Sequence, residues 1–350
     1  MSDPLTAELT VLRDRIDALD DQLLTLLNTR AQVARDVGHL KARHGLSQAY
    51  APVREQSVIA RLAAANPGPF PAEGIRAVFQ EVMSACLSLE QPLRVAFLGP
   101  EGTVCHQATR HRFGLGARAL AMATIEGVFQ AVEKGHADLG VVPAEHATEG
   151  SEEDTLDAFL ERDVRVTGEV LLPTAYGLLL PPRVALSQVS RVYSHPQAFA
   201  HCRRWLAANL ATALRHEVAS TAEAARMAKD DPEGAAIATA MAAELFGLRV
   251  AREGIQDGHR RTMRFLVLGR TIPPPSGQDR TSLLIQAEDR PGLLCDLLQP
   301  FSRARLNLLR VESLLTQDLR WPNAFFLDVA GHPDEPALDA ALRALAALGA

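Results

Sequence analysis

The sequence predicts a multidomain chain in which an all-α segment is followed by an α/β domain and then by a small α+β module. Three observations carry this. Apolar residues recur at alternating steps of three and four from Leu9 to Leu40, the pattern of a long amphipathic helix. At "EQPLRVAFLGPEGT" that pattern gives way to short apolar runs alternating with helical stretches, as in an α/β domain. Beyond the proline-rich "TIPPPSGQD", which reads as a linker, the order becomes βαββα.

The first helix has a seam of Leu9, Leu12, Ile16, Leu19, Leu23, Leu26, Arg30, Val33, Val37 and Leu40, with Arg30 its one polar member. A guanidinium there either sets the registry of a helical interface or clamps a ligand. No acidic residue on the seam pairs with it, which favours the clamp. Two shorter helices are predicted near 53–65 and 71–89, separated by "NPGPFP". A strand over 95–98 then runs into a glycine-bearing loop and a helix, and strand-like runs follow at "LGVVP", "LLPTAYGLLL", "VSRVYS", "AAIA" and "RFLVLG". In the last module "RTSLLIQAE", a helix over 291–304, "LNLLRVESLL", "NAFFLDVAG" and a helix from Pro336 supply the five elements.

Composition narrows the function. A chain of 350 residues with 47% hydrophobic and 22% charged residues is ordinary for a soluble globular protein of two or three domains. The net charge of -6 argues against nucleic acid as the main partner, while clusters such as "HRRTMR" suit a small anion. Cys86, Cys105, Cys202 and Cys295 make no CxxC pair, the usage of a reducing compartment, and suggest neither a disulfide framework nor a metal site. The amino terminus lacks the features of a signal peptide, and "LLPTAYGLLLPP" is too short and proline-rich to span a bilayer. A cytoplasmic protein without a cofactor is expected.

Helix geometry restricts what the first segment can bind. At a rise of about 1.5 Å per residue, Arg13 lies roughly 25 Å from Arg30, too far for both to hold one small ligand within a chain. Lys41 lies about 16 Å beyond Arg30 but on nearly the same face, so those two can share one. Arg13 is either a solvated surface arginine or a contributor to the site of a partner subunit.

The run "LRDRIDALDDQLLTLLNTRAQVARDVGHLK" followed by "YAPVRE" resembles the all-helical chorismate mutase domain over residues 5–91. The resemblance implies that Arg13, Arg30, Lys41, Arg54 and Glu55 surround a dicarboxylate, with Cys86 and Glu90 completing the site, in an intertwined dimer. It implies the rearrangement of chorismate to prephenate, a unimolecular step that needs orientation and placed charge and no nucleophile. Lys41 would then hydrogen-bond the ether oxygen, while Arg30 and the partner's Arg13 hold carboxylates. Ala51 stands where some members carry aspartate, and Glu90 where they carry glutamine. At that position only the acid form of Glu90 can donate a hydrogen bond to the ether oxygen.

In the central segment, "GPEGT" and "HATEGS" each combine glycine, a hydroxyl and an apparent helix start, features suited to an anion. Ser151 with Asp154 serves equally well as a structural helix cap. Taken in order, "GPEGTVCHQAT", "GVVPAEHATEGSEEDTLD", "YSHPQAFAHCRRWL", "STAEAARMA", "AAIAT" and "MRFLVLG" resemble prephenate dehydratase over residues 94–270. This implies two α/β lobes akin to periplasmic binding proteins, with the ligand between them. With the mutase domain ahead of it, the chain resembles the bifunctional mutase-dehydratases of phenylalanine biosynthesis.

The residues carried over by that resemblance are Thr103, Glu145, Thr148, Ser194 and Arg264. Three further positions depart from it. His146 stands for the asparagine of the family's "ENS", His201 for the glutamine before a cysteine, and Met263 for the threonine ahead of Arg264 and Phe265. That threonine is the family's favoured catalytic hydroxyl, and a thioether donates no hydrogen bond. Thr262 is adjacent, but neighbours on a strand point to opposite faces. Either His146 or His201 is a replacement acid, or the lobe persists as a binding or regulatory module fused to an active mutase. A third reading makes the whole chain a regulatory partner of another aromatic-pathway enzyme.

The βαββα module over 280–350, with "RPGLL" and "LNLLRVES", resembles the amino-acid-sensing ACT domain, whose fold is ferredoxin-like. The resemblance implies that L-phenylalanine binds as effector at a subunit interface near Gly292, Leu293, Leu294, Glu312 and Ser313. "ESLL" replaces the usual "ESRP", and the sequence reaches Ala350 ahead of the fourth strand the resemblance implies.

Overall fold

The computed structural model describes residues 4–45, 50–146, 150–151, 153–258, 261–315 and 323–349. The chain forms two compact units, Met1–Leu93 with Phe113–Arg118, and Arg94–Arg112 with Ala119–Ala350. The expected central domain, apart from Phe113–Arg118, and the carboxyl-terminal domain fall in the second.

The first unit is built on α1 (Pro4–Arg43), α2 (Pro52–Ala64) and α3 (Ala72–Glu90). Proline at the first position of α2 fixes its entry, since its missing N–H has no intrahelical partner there anyway. Both α1 and α2 pack on α3. Burial is sparse: on these helices only Ile59, Ile75, Ser84 and Cys86 are buried among the described residues. The apolar seam is a helix face as predicted, yet Leu12, Leu19 and Leu26 remain 57%, 52% and 65% exposed.

After α3 the order is β1 (Arg94–Leu98), α4 (Val104–Phe113), β2 (Arg118–Met122), α5 (Ile125–Glu133), β3 (Leu139–His146), β4 (Gly150–Ser151), α6 (Glu153–Glu161), β5 (Arg165–Thr174) and β6 (Gly177–Leu180). A single 3-10 turn leads to β7 (Arg191–Ser194), α7 (Pro196–His201), α8 (Arg203–Asn209), β8 (Leu214–Glu217), α9 (Thr221–Lys229), β9 (Gly234–Ala238), α10 (Ala240–Phe246), β10 (Arg249–Arg252) and β11 (Arg261–Gly269). Last come β12 (Arg280–Ala287), α11 (Leu293–Arg303), β13 (Leu308–Leu315), β14 (Asn323–Ala330) and α12 (Pro336–Ala346). The stretch "LLPTAYGLLL", expected as one strand-like run, is split between β5 and β6.

Three sheets result. The first has the order β2-β1-β3-β11-β5 with β4 beside β3, the second β10-β6-β9-β7-β8, and the third β12-β14-β13. In the first, Val128, Phe129 and Val132 of α5 pack on Ala96, Val142, Leu266 and Leu268. In the second, the small face of α9, Ala224, Ala225 and Ala228, packs with Leu179 and Ala236. Leu297 and Phe301 of α11 and Leu338 and Leu345 of α12 cover one face of the third sheet. Its other face, through Leu314, Ala324 and Phe326, packs on Leu156 of α6. The pairs β1/β3 and β7/β9 are parallel, so the ends of β1, β3 and β7 are where a ligand of an open α/β sheet is expected. Among the described residues no helix is long and apolar enough to cross a membrane.

Candidate active sites

The first unit contains a cavity of about 220 Å3, lined among others by Arg30, Lys41, Arg54, Glu55, Cys86 and Glu90. Six of the seven expected mutase residues therefore meet in one place. Helix spacing explains it: Arg30 and Lys41 sit three turns apart on one face of α1, Arg54 and Glu55 in the first turn of α2, and Cys86 and Glu90 one turn apart on α3. Arg30 Nη1 donates to Cys86 Sγ at 2.9 Å. Lys41 Nζ lies 3.5 Å from Glu90 Oε2, with the two side chains 32% and 12% exposed. Ala51, at the amino-terminal cap of α2, also lines the cavity and makes no side-chain cap. Arg13, in the first turns of α1, is exposed and is not among the lining residues.

Two further features of this cavity lie outside the sequence expectation. A Cβ on Gly38 would come within 2.8 Å of Glu90 Cγ, so glycine at this helical position makes room for the Glu90 side chain. The signal for it is an isolated glycine inside an otherwise unbroken helical pattern. Tyr50 is the other, a lining residue whose ring meets Phe113 edge-on at 5.5 Å between centroids.

The dehydratase candidates collect at strand ends in the second unit. Thr103 follows β1; its Oγ1 donates to Pro100 O at 2.9 Å and accepts from His106 N at 3.4 Å. Its loop is held by His106, which no sequence pattern singles out. The His106 ring stacks on Phe97 at 4.8 Å, and its Nδ1 accepts from Gly102 N at 3.1 Å. Burial lowers the His106 pKa, aided by the nearby Arg110 charge, which suits a neutral ring accepting at Nδ1. Gly102 has φ +87°, where glycine is favoured, and its carbonyl accepts from Thr239 Oγ1 at 3.4 Å.

Ser194 ends β7 fully buried, and its hydroxyl donates to Ile237 O at 2.8 Å. His201 ends α7 buried, with its ring 6.0 Å from that of Tyr176. Beside it, burial pushes the Cys202 thiol up to about 12, so it is no nucleophile. Glu145 and His146 close β3, and Thr148 lies outside the described residues. Met263 is buried, 8% exposed, near the start of β11. Ladder register pairs Met263 with His146 and Arg264 with Glu145.

Arg264, expected among the ligand-binding residues, makes two ion pairs within the fold. Its Nε donates to Glu169 at 2.8 Å and its Nη1 to Asp328 at 2.5 Å. The Arg264 and Asp328 side chains are 5% and 0% exposed. Burial alone would lower the Arg264 pKa, but its bonds to Asp328 and Glu169 outweigh that and raise it. Arg280 adds a second cation 3.5 Å from Glu169, and Ser282 donates to Asp328 at 2.6 Å. The guanidinium thus ties β11 to β5 and β14, and Arg280 and Ser282 join β12 to the same carboxylates.

Comparison with known proteins decides the family. Residues 12–91 match chorismate mutase type II, residues 95–273 prephenate dehydratase and residues 281–347 the ACT domain. The chain is 40% identical to the bifunctional chorismate mutase/prephenate dehydratase of Pseudomonas aeruginosa, over 94% of this chain and 91% of that one. It is also 40% identical to the enzyme of that name from Neisseria gonorrhoeae, over 99% and 95%. This chain belongs to the bifunctional chorismate mutase/prephenate dehydratases. Like them it converts chorismate to prephenate and prephenate to phenylpyruvate, water and CO2. A solved prephenate dehydratase from Arthrobacter aurescens, in complex with L-Phe, aligns with a TM-score of 0.68 and 31% identity over 73% of this chain and 86% of that one.

In this mutase-dehydratase the expected effector residues flank the start of α11 and lie on β13. Gly292 caps α11 with φ 83°, Leu293 is buried and Leu294 is 41% exposed. Glu312 accepts from Arg310 Nη2 at 2.6 Å, with the Arg310 guanidinium 5.2 Å from the centre of the Phe326 ring. Ser313 is exposed on β13.

Proposed function

We propose that the two reactions run on differently built sites, cations in the cavity of the first unit and an imidazole at the strand ends of the second. In the mutase cavity Arg30 holds a carboxylate of chorismate. As the ether C–O bond breaks, Lys41 and the acid form of Glu90 donate to the oxygen that gains negative charge. Arg54 and Glu55 border the ligand and Cys86 keeps Arg30 in place. The missing cation comes from a second copy of the chain, whose Arg13 reaches the cavity. The exposed apolar seam of α1 supports this dimer, because a lone helix would leave that stripe in water.

The observation that carries the dehydratase reading is the pairing of Met263 with His146 across β11 and β3. Position 146 is the direct cross-strand neighbour of position 263, so two departures from the family pattern fall on adjacent sites. The donor lost at one is regained at the other. Imidazolium at His146 gives its proton to the departing ring hydroxyl, which leaves as water. The electron pair of the breaking C–CO2 bond completes the aromatic ring, and CO2 departs. Thr103 and Ser194 border the ligand through the loops they stabilise, and Glu145, at the end of β3, is next to His146 in the chain. His201, on α7 and away from this register, is a supporting residue. Arg264 acts in domain assembly.

Turnover of prephenate, followed as phenylpyruvate absorbance, tests this. The wild-type rate declines as pH rises, because only the imidazolium donates. His146→Gln removes that decline and about 100-fold of the rate, and adding Met263→Thr restores part of it. Wild-type turnover in His146→Gln at every pH defeats the assignment. L-phenylalanine is proposed as the effector of the ACT domain, at Gly292, Leu293, Leu294, Glu312 and Ser313. The proposed setting is the cytoplasm.

A further inference from the structure

The cavity of the first unit has a wall that its helices do not supply. Having left that unit at Leu93, the chain returns to it for Phe113–Arg118, a stretch inside the region matching prephenate dehydratase. Phe113, Gly116 and Ala117 line the same cavity as Arg30 and Lys41. Their seat is α3. The Ser84 hydroxyl donates to Phe113 O at 2.5 Å and accepts from Gly116 N at 3.0 Å. Leu115 N donates to Glu81 Oε2 at 3.1 Å, and Arg118 N to Leu93 O at 2.8 Å.

Two glycines make the fit possible. Gly114 has φ +68°, and a Cβ there would lie 2.7 Å from Ser84 Cβ. At Gly116 a Cβ would lie 2.4 Å from Ser84 O, a clash with backbone that no side-chain rotation relieves. Ser84 precedes Cys86 by two residues and Glu90 by six on the same helix, so whatever sets Ser84 sets them as well. The Phe113 ring also packs on Tyr50, placing aromatic surface in a cavity that holds the cations.

We propose that residues 113–117, carried by the dehydratase part of the sequence, complete the mutase site, with Gly116 and Phe113 as positioning residues. Gly116 fixes the height of α3 and thereby of Cys86 and Glu90. Phe113 excludes water from the cavity, which strengthens the pull of Arg30 and Lys41 on the substrate. The inference rests on the reading that this cavity is the mutase site.

The test uses the full-length chain, with chorismate consumption as readout and prephenate turnover as the internal control. Gly116→Ala lowers mutase kcat on the order of 10- to 100-fold, the effect of misplacing groups by about 1 Å, and leaves prephenate turnover intact. Phe113→Ala raises the KM for chorismate several-fold with little change in kcat, and Phe113→Leu restores it. Lys41→Ala tests the underlying reading separately. If Lys41→Ala is inactive while Gly116→Ala and Phe113→Ala keep wild-type constants, the wall assignment alone falls. If Lys41→Ala retains full mutase activity, the cavity is not the site and both fall. Should Gly116→Ala lose both activities through misfolding, the Phe113 pair decides: a KM raised by alanine and restored by leucine supports the wall, and an unchanged KM overturns it.

Discussion

The mutase cavity and the dehydratase strand ends represent two ways of assembling charge. In the first, one helix spaces Arg30 and Lys41, and a second presents Cys86 and Glu90 to them, so the cavity is defined by side chains pointing inward. In the second, Thr103 and Ser194 spend their hydroxyl protons on backbone carbonyls, and Arg264 is committed to Glu169 and Asp328. There the groups that match the family pattern shape loops and strands. The difference teaches that a residue matching a motif can also hold the scaffold, since each of these donors has a partner within the fold.

The comparison is broken most severely by removing cations from the helical site. On the proposed dimer, Arg13→Ala and Arg30→Ala proteins each lose about 100- to 1000-fold in mutase kcat/KM. Mixed subunits regain activity, because one of the two sites in each heterodimer then carries neither substitution. No recovery in a verified heterodimer would place Arg13 outside the site.

The next effect sharpens the contrast by separating scaffold from chemistry. Asp328→Ala removes the buried partner of Arg264, leaving Glu169 beside it, and lowers stability by about 1–3 kcal/mol, read as a lower denaturation midpoint. If prephenate KM rises while stability stays put, Arg264 serves the ligand after all.

A smaller effect distinguishes the donors of the mutase site. An amide donates at every pH, whereas a carboxyl donates only as the acid. Glu90→Gln therefore retains mutase activity, whereas Glu90→Ala, which removes the donor, costs about 100-fold in kcat. Equal kcat in the two variants shows that Glu90 does not donate to the ether oxygen.

The smallest effect concerns a carboxylate outside either site. Arg191 bonds Asp231 through both of its oxygens, at 2.7 Å each. Those bonds hold the Asp231 carboxyl far below the usual range despite burial, with help from Glu233 N and Tyr193. A depressed folded value contributes stability that is present above the unfolded value of about 3.9 and is lost as pH falls through the folded one. Asp231→Asn should thus be less stable than wild type at neutral pH, and the two should converge in strong acid. Parallel curves down to the lowest pH remove the pair from the acid response.

Much of this molecule is legible in its sequence because its periodicities are strong. The seam from Leu9 to Leu40 marks α1, and the spacing of Arg30 and Lys41 marks their shared face. The alternation after Leu93 announces the α/β order, and the runs after the linker announce βαββα. Short exposed strands such as β8, whose four residues are all exposed, carry no hydrophobic pattern to read. Long-range fits are equally silent: nothing near Gly116 announces Ser84, and nothing in "RFLVLG" announces Asp328. The role of Gly38 depends on Glu90, two helices further along the chain. Helix period reveals which side chains share a face, but not which distant backbone is pressed against it.

The charge cluster at Arg264 also bears on how β11 finds its place. The strand pairs with β3 and β5 at once, and each ladder contains an irregularity, at Arg264/Phe265 and at Val267/Leu268 respectively. A strand with such interruptions has neighbouring alignments close at hand. Slipping by one residue turns every side chain to the other face, and the slip that puts the guanidinium of Arg264 where Met263 packs would bring Phe265 to the place of Arg264 beside Asp328. That shift separates the buried Arg264 guanidinium from Asp328, so their ion pair favours the alignment in which position 263 faces position 146.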